Sequence, residues 1–400
     1  MSNDRAIDTS LLTLRARRRY APVAEPAIPR QRRARNVQIL AAALSFAAAG
    51  CAHQYLDPRL YGQVREPPPD TTPDTVQVRF LGVGGFIIQR GDDIILTAPF
   101  YSNPSEGFLL GASQVRPNEA LIKQLLPKRW AGKSLAILVG HTHYDHFMDV
   151  PYIARAIAKE NNAVLYGSLT MKQLAMAQPY QVDAGRIVVV SDVAGEDRVD
   201  YRKCPVKPSE GCIHGSGPGD WIKVNDRVRI RALCSRHAAP RAWKGCLTSV
   251  PPEPTRVGDW KLGDTYAYLI DFLDQTGSPV FRIYYQDTAT PPTYGYVPED
   301  LVQNKPVDVA LLCAAGFDWV KDNPVGIMQN TGPRYVIYGH WETFFKPQTS
   351  RPLETLAYFD YSDLVARTEA LAKPPPIGIS WPGQFWIAAP GNLFVFEPKP

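Results

Sequence analysis

Leu135-Ala136-Ile137-Leu138-Val139-Gly140-His141-Thr142-His143-Tyr144-Asp145-His146 sets five consecutive apolar residues directly ahead of three histidines and an aspartate. The apolar run, closed by Gly140, reads as a strand buried on both faces. Only seven histidines occur in the 400 residues. A chance His-x-His-x-Asp-His is therefore expected on the order of once in ten thousand such chains. Imidazole nitrogen and carboxylate oxygen both suit a borderline cation such as zinc. Alternate residues of an extended turn point the same way, so His141 and His143 can share one ion. Asp145 and His146, slightly further on, can address a second.

Outward from this stretch the texture is short apolar strands parted by Gly, Pro and Asp. Val76–Leu81, Gly85–Gln89 and Asp93–Thr97 read as consecutive antiparallel strands. Further strands are expected at Ala163–Tyr166, Arg186–Val190, Arg227–Leu233, Thr265–Phe272, Val280–Tyr285, Val307–Leu312 and Arg334–Tyr338. A terminal pair follows near Phe385–Ala389 and Leu393–Phe396. Helices are expected at Asn118–Leu126, Val150–Lys159, Leu169–Ala177, Pro298–Gln303 and Asp360–Leu371. No internal repeat is visible. Two runs of strands with interspersed helices indicate a layered α/β domain.

The histidine motif after a strand resembles the metallo-β-lactamase superfamily, over most of Val76 to about Phe345. That resemblance implies a four-layer αβ/βα sandwich and two zinc ions, other divalent metals remaining open. It supplies the remaining ligands by position, each after a strand: His237 in Ser235-Arg236-His237-Ala238-Ala239, Asp287 in Tyr285-Gln286-Asp287-Thr288, and His340 in Tyr338-Gly339-His340-Trp341. It places His141, His143 and His237 on one zinc and Asp145, His146 and His340 on the other, with Asp287 bridging. Asp145 takes the catalytic role of orienting the nucleophile or relaying a proton.

The wording around His237, Trp260-Lys261-Leu262-Gly263 and His340-Trp341-Glu342-Thr343-Phe344 looks like one branch. That branch holds ascorbate-phosphate lactonases and N-acyl-phosphatidylethanolamine phospholipases D. Two departures stand out. Ala98 occupies the place of a customary aspartate that supports the histidine turn, with Thr97 as a candidate substitute, and Gln286 replaces a customary glycine. The implied activity is hydrolysis of a phosphodiester, a phospholipid-like one included, by a metal-bridging hydroxide. The alternatives are a lactone or other cyclic ester, and a non-catalytic envelope lipoprotein with a vestigial site.

Composition bears on the setting. The chain is 45% hydrophobic and 21% charged, which excludes a disordered or low-complexity protein. Its net charge of +5 suggests nucleic acid until the charges are located. Residues 1–50 hold nine arginines against three acids, leaving a net −1 from Cys51 onward. Bulk charge thus offers no support for a nucleic-acid partner. The basic cluster Arg30–Arg35, the apolar run Val37–Ala49 and the small-residue ending read as an export signal over 1–50. Ala48-Ala49-Gly50-Cys51 resembles a bacterial lipobox, which implies a lipidated Cys51 and a periplasm-facing envelope protein, outer membrane rather than inner. A proline-rich tether spans 51–75, and the hydrolase domain spans 76–400.

Cys204, Cys212, Cys234 and Cys246 fall in loop-rich insertions and allow two disulfides in three connectivities. The simplest is Cys204–Cys212 with Cys234–Cys246. Cys234 as a zinc ligand is the rival, and Cys313 reads as a buried free thiol. His53 and His214 read as ordinary histidines. The insertion Ala242–Asp259 should overhang the metals, with Trp243, Trp260, Trp341 and Phe344 as candidate walls of a substrate mouth. Oligomeric state is not legible.

Overall fold

Burial alternates along the first strand, and this alternation explains how two sheets meet. In β1 (Val76–Gly82), Val76, Val78 and Phe80 are fully buried while Gln77 and Arg79 are half-buried. The computed structural model describes residues 74–105, 114–127, 133–157, 163–191, 221–238, 243–350, 352–372 and 383–398. The export signal, the tether, Cys51, Cys204, Cys212, His53 and His214 lie outside the described residues.

β2 (Gly85–Arg90) and β3 (Asp93–Thr97) continue from β1 as an antiparallel meander. β4 (Ser134–Leu138), β5 (Val164–Gly167) and β6 (Ile187–Val189) then add in parallel. Between them run α1 (Glu119–Leu125), α2 (Tyr144–Phe147), α3 (Val150–Ile157) and α4 (Leu169–Ala175). α4 starts where Ser168 Oγ accepts from Met171 N, satisfying one free donor of the first turn.

The second sheet follows the same plan. β7 (Ile222–Lys223), β8 (Val228–Cys234), β9 (Tyr266–Leu273) and β10 (Pro279–Gln286) are antiparallel neighbours. β11 (Val309–Cys313), β12 (Tyr335–Gly339) and β13 (Gln384–Ile387) add in parallel. α5 (Glu299–Asn304), α6 (Val325–Thr331) and α7 (Tyr361–Ala372) form the crossovers. The strand plan therefore repeats although no repeat shows in the residues. The terminal strands part company: β13 edges the second sheet, while β14 (Leu393–Phe396) pairs with β1 in the first. Asn392 manages the crossing, its side chain accepting from Ala389 N (2.9 Å) and its backbone oxygen from Phe80 N (3.0 Å).

The inner faces of both sheets form one core, with Val78, Phe80, Ile88 and Leu138 against Ile230, Ile270, Ile283 and Tyr285. On the outer faces, Ile94, Leu96, Leu135 and Ile137 pack with Met148, Ile153 and Leu174 of the helical segments. Ala310, Leu312 and Val336 do the same with Ile327, Met328 and Leu364. The result is helix, sheet, sheet, helix: an αβ/βα sandwich. β4 is covered on both sides, which is why its sequence is continuously apolar rather than alternating.

Candidate metal centre

Four strands end at one edge of the sandwich, and each delivers a ligand there. His141 follows β4, His237 follows β8, Asp287 is the first residue beyond β10, and His340 is the first beyond β12. The backbone stays extended at His143 (φ −61°, ψ 154°), and α2 begins at Tyr144. Asp145 and His146 thus sit in the first turn of a helix, beyond the extended stretch that carries His141 and His143. This change of geometry sends the motif's first two histidines one way and its last two ligands another.

The histidine turn is clamped by the second sheet. Tyr266 N donates to Gly140 O (2.8 Å), Tyr268 Oη to Val139 O (3.0 Å) and Thr142 N to Leu262 O (3.1 Å). Thr142 Oγ1 also donates to Lys261 O. Gly140 is required by close approach, since a methyl group there would collide with the Asp287 carboxylate. Thr97, the candidate substitute for the aspartate missing at Ala98, does not reach the histidines. Its Oγ1 donates to Gly84 O (2.8 Å) and accepts from Phe86 N (2.9 Å), holding the β1–β2 turn. Gly84 of that turn lies against His146 and Asp287.

All seven residues expected as ligands come together. His141, His143 and His237 form one trio, with ring centroids 4.8 Å apart in every pairing. Asp145, His146 and His340 form a second, with Asp145 Oδ2 3.6 Å from His146 Nε2 and 3.5 Å from His340 Nε2. Asp287 lies between the trios. Its Oδ1 is 3.1 Å from His141 Nδ1 and its Oδ2 is 3.5 Å from His146 Nδ1. Six of the seven are buried and His237 is half-buried.

The donor set has unmet valence. His141 Nε2, His146 Nδ1, His340 Nδ1 and Asp287 Oδ2 are buried with no hydrogen-bond partner. Each such atom costs about 1–3 kcal/mol, so four in one cluster oppose folding unless something satisfies them. Divalent cations bound by nitrogen and oxygen fit that demand. His237 is already oriented: its Nδ1 donates to Ala238 O (2.7 Å), which leaves Nε2 for a metal.

Electrostatics agree. Burial, then the neighbouring His141, pushes the His237 imidazole down to about 3. Burial, then His141 and His340, holds His146 well below its ordinary value. Both rings are neutral near pH 7, as metal ligation requires. Burial pushes the Asp145 carboxyl upward, but the hydrogen bond and charge of His340, with His143 and His141, outweigh it and hold the group low.

His340 adopts a left-handed backbone (φ 59°), uncommon for a residue with a side chain. Trp341, next in sequence, is fully buried with its Nε1 donating to Ala388 O (2.7 Å). Glu342, which sequence reasoning did not single out, is buried beside this loop and accepts from Val83 N (2.6 Å). Burial, only partly offset by His340, raises its carboxyl to about 7.

A cavity of about 210 Å³ opens above the trios. Trp243 and Phe344 line it as expected, Trp243 standing edge-on to His143 with centroids 5.8 Å apart. Trp260 and Trp341 do not. Trp260 packs against Phe147 in the outer core, and Trp341 fills the interior. Trp319, Phe345 and Tyr358 take their places, unmarked by any pattern in the sequence. Cys234 and Cys246 are both disulfide-bonded, which removes Cys234 as a thiolate ligand. Cys313 is a buried free thiol at the cavity wall.

No family model and no curated protein matches the chain. Similar solved structures exist. Igni18, a novel metallo hydrolase from the hyperthermophilic archaeon Ignicoccus hospitalis, is 14% identical with a TM-score of 0.46, covering 81% of this chain and 100% of its own. YhfI from Bacillus subtilis, a metallo-beta-lactamase fold protein, is 12% identical with a TM-score of 0.41, over 81% and 100%. A possible metal-dependent hydrolase from Veillonella parvula is 11% identical with a TM-score of 0.43, over 80% and 100%. At this distance the functional reading rests on the residues of the centre itself.

Proposed function

We propose that the protein is a metal-dependent hydrolase of the metallo-β-lactamase superfamily. It binds two divalent cations, zinc by donor type, and cleaves a phosphodiester. The observation that carries this reading is Asp287 spanning two trios, with His141 Nε2, His146 Nδ1, His340 Nδ1 and its own Oδ2 buried without a hydrogen-bond partner. His141, His143 and His237 would hold one cation, Asp145, His146 and His340 the other, with Asp287 between them. When bound, such a pair supplies Lewis acidity and makes a water nucleophilic near neutral pH. The chain's own residues do the rest. Asp145, kept ionised, accepts a proton or orients the nucleophile, and the aromatic walls exclude bulk water from the reacting centre. A place in the branch of the ascorbate-phosphate lactonases and N-acyl-phosphatidylethanolamine phospholipases D is supported by the local wording around His237 and His340.

The same reading places the protein in a bacterial cell envelope, tethered through a lipidated Cys51. The basic cluster, apolar run and lipobox-like ending before Cys51 support this placement. Among the described residues no helix is long and apolar enough to cross a membrane.

Metal content of the purified protein, measured with turnover of a phosphodiester and a lactone, tests the proposal. About two metals per chain and phosphodiester turnover abolished in His143→Ala are expected. Lactone cleavage alone moves the substrate class. Less than one metal per chain with no turnover indicates a vestigial site.

A further inference from the structure

Three large hydrophobic side chains are notably exposed among the described residues, and two of them, Trp319 (44%) and Tyr358 (39%), stand at the mouth of the metal cavity. They come from separate segments, the turn Phe317–Trp319 after β11 and the stretch before α7, yet they pack ring on ring. Their centroids are 4.6 Å apart and their planes are inclined by 33°. Held this way, the two rings leave about two fifths of their surface in water at one place, which packing alone does not account for. Inward, the apolar wall continues through Phe345 and Phe344, whose centroids lie 4.5 Å apart, and Phe344 reaches His340 at 5.2 Å. Trp243 closes the other side against His143. Aromatic side chains of one cavity lining thus stand both at the solvent side and against the ligand trios. Among the described residues that line this cavity, no lysine or arginine is present.

We propose that Trp319 and Tyr358 form the specificity rim of this centre, receiving an uncharged, ring-bearing group of the substrate ester. The inference rests on the hydrolase reading and narrows its substrate class. The favoured substrates are diesters with one negative charge at the scissile centre and a flat apolar substituent beyond it. Dianionic monoesters and small alkyl diesters are disfavoured. Aromatic rings accept a planar group in offset or edge-on geometry at little cost in side-chain freedom, because each ring has only two torsions to fix. Among the described lining residues there is no lysine or arginine to meet a further charge.

Two diesters with the same leaving group decide the matter: phenyl p-nitrophenyl phosphate and methyl p-nitrophenyl phosphate, with p-nitrophenyl phosphate as the monoester. The zinc-loaded full chain should favour phenyl over methyl by at least about tenfold in kcat/KM, with the monoester slowest. Trp319→Ala should collapse that ratio toward one through KM rather than kcat, with metal content retained. Trp319→Phe should restore most of the ratio. Equal rates for the two diesters, a preferred monoester, or equal losses on both diesters in Trp319→Ala would overturn the rim. If neither diester turns over, calorimetric titration with diphenyl and dimethyl phosphate separates the two ideas. A diphenyl preference lost in Trp319→Ala keeps the rim while sinking hydrolysis of these esters. No preference sinks the rim itself.

Discussion

The two ends of the sandwich both gather charged side chains, and they use them differently. At the starts of β3, β4 and β8, Asp93 accepts from Arg227 Nε (2.7 Å) and Asn225 Nδ2 (2.8 Å), and Arg90 pairs with Asp74 (3.2 Å). The named partners answer one another. At the ends of β4, β8, β10 and β12, carboxylates and imidazoles face each other, and four buried atoms are left without partners. A cluster that satisfies itself is explained by folding. A cluster that does not is explained only by what it binds. Ligands in open α/β sheets bind at the carboxyl ends of strands, and the same end is marked here by unmet valence.

The sharpest break in that contrast is Asp287→Ala. Asp287 is the residue in contact with a member of each trio, at 3.1 Å from His141 and 3.5 Å from His146. Its loss should drop metal content from about two to one or fewer per chain. Turnover should fall by more than the roughly 10–100-fold typical of supporting residues. Metal analysis and initial rates check both, and retention of two metals would show that Asp287 does not bridge.

Gly140→Ala comes next. It changes no ligand but drives a methyl group into the Asp287 carboxylate. A loss of roughly 10–100-fold in activity or metal affinity is expected, the scale of a disturbed supporting contact. Metal titration by calorimetry distinguishes this from general unfolding.

These residues also show what the sequence disclosed and why the rest stayed hidden. His141 to His146 were legible because three of the chain's seven histidines and an aspartate crowd into six positions, which packing does not demand. His237, Asp287 and His340 followed only from the family resemblance, which places a ligand just past each of these apolar strands. The rim was hidden because an aromatic residue reads alike in core and at mouth. Trp341 neighbours a ligand in sequence, but the left-handed backbone at His340 turns consecutive side chains apart, and the indole goes to the interior. Trp319 and Tyr358 lie far from any motif and meet the site only through the path of β11 and α7. The split of β13 and β14 between sheets was equally silent, because strand identity is local and pairing partner is not.

A smaller effect is expected from acid acting on the metal-free protein. His237 is held to about 3 and His146 is also held low, both by burial first, against an ordinary value of 6.5. The unfolded chain therefore binds more protons below 6.5 than the folded one. Stability is fully present above that pH and falls as pH drops toward 3. Asp149, raised by burial to about 6, and Glu342 and Asp264, each raised by burial to about 7, act oppositely over the range between their ordinary values and these, and offset much of the histidine slope. Relative to a His146→Phe, His237→Phe double variant, in which the carboxyls act alone, the melting temperature of the metal-free protein should fall by about 5 °C or more between pH 7.5 and 5. Bound zinc should protect against this loss near neutrality, because neutral imidazoles are what it ligates. The same pH response in the parent and the double variant would mean that the histidine cluster is solvated rather than buried.

The smallest effect belongs to the other end. Arg227 makes two hydrogen bonds to Asp93, but its side chain is 58% exposed, so solvent and salt screen the pair. Asp93 keeps Asn225 as a second donor when the guanidinium is removed. Arg227→Ala should therefore cost no more than about 1 kcal/mol and leave metal content and turnover as they are. Denaturant unfolding and metal analysis on the same preparation check it. A loss of metal would mean that the two ends are coupled through β3, β4 and β8, and the distinction between a self-satisfied cluster and an open one would no longer separate folding from function.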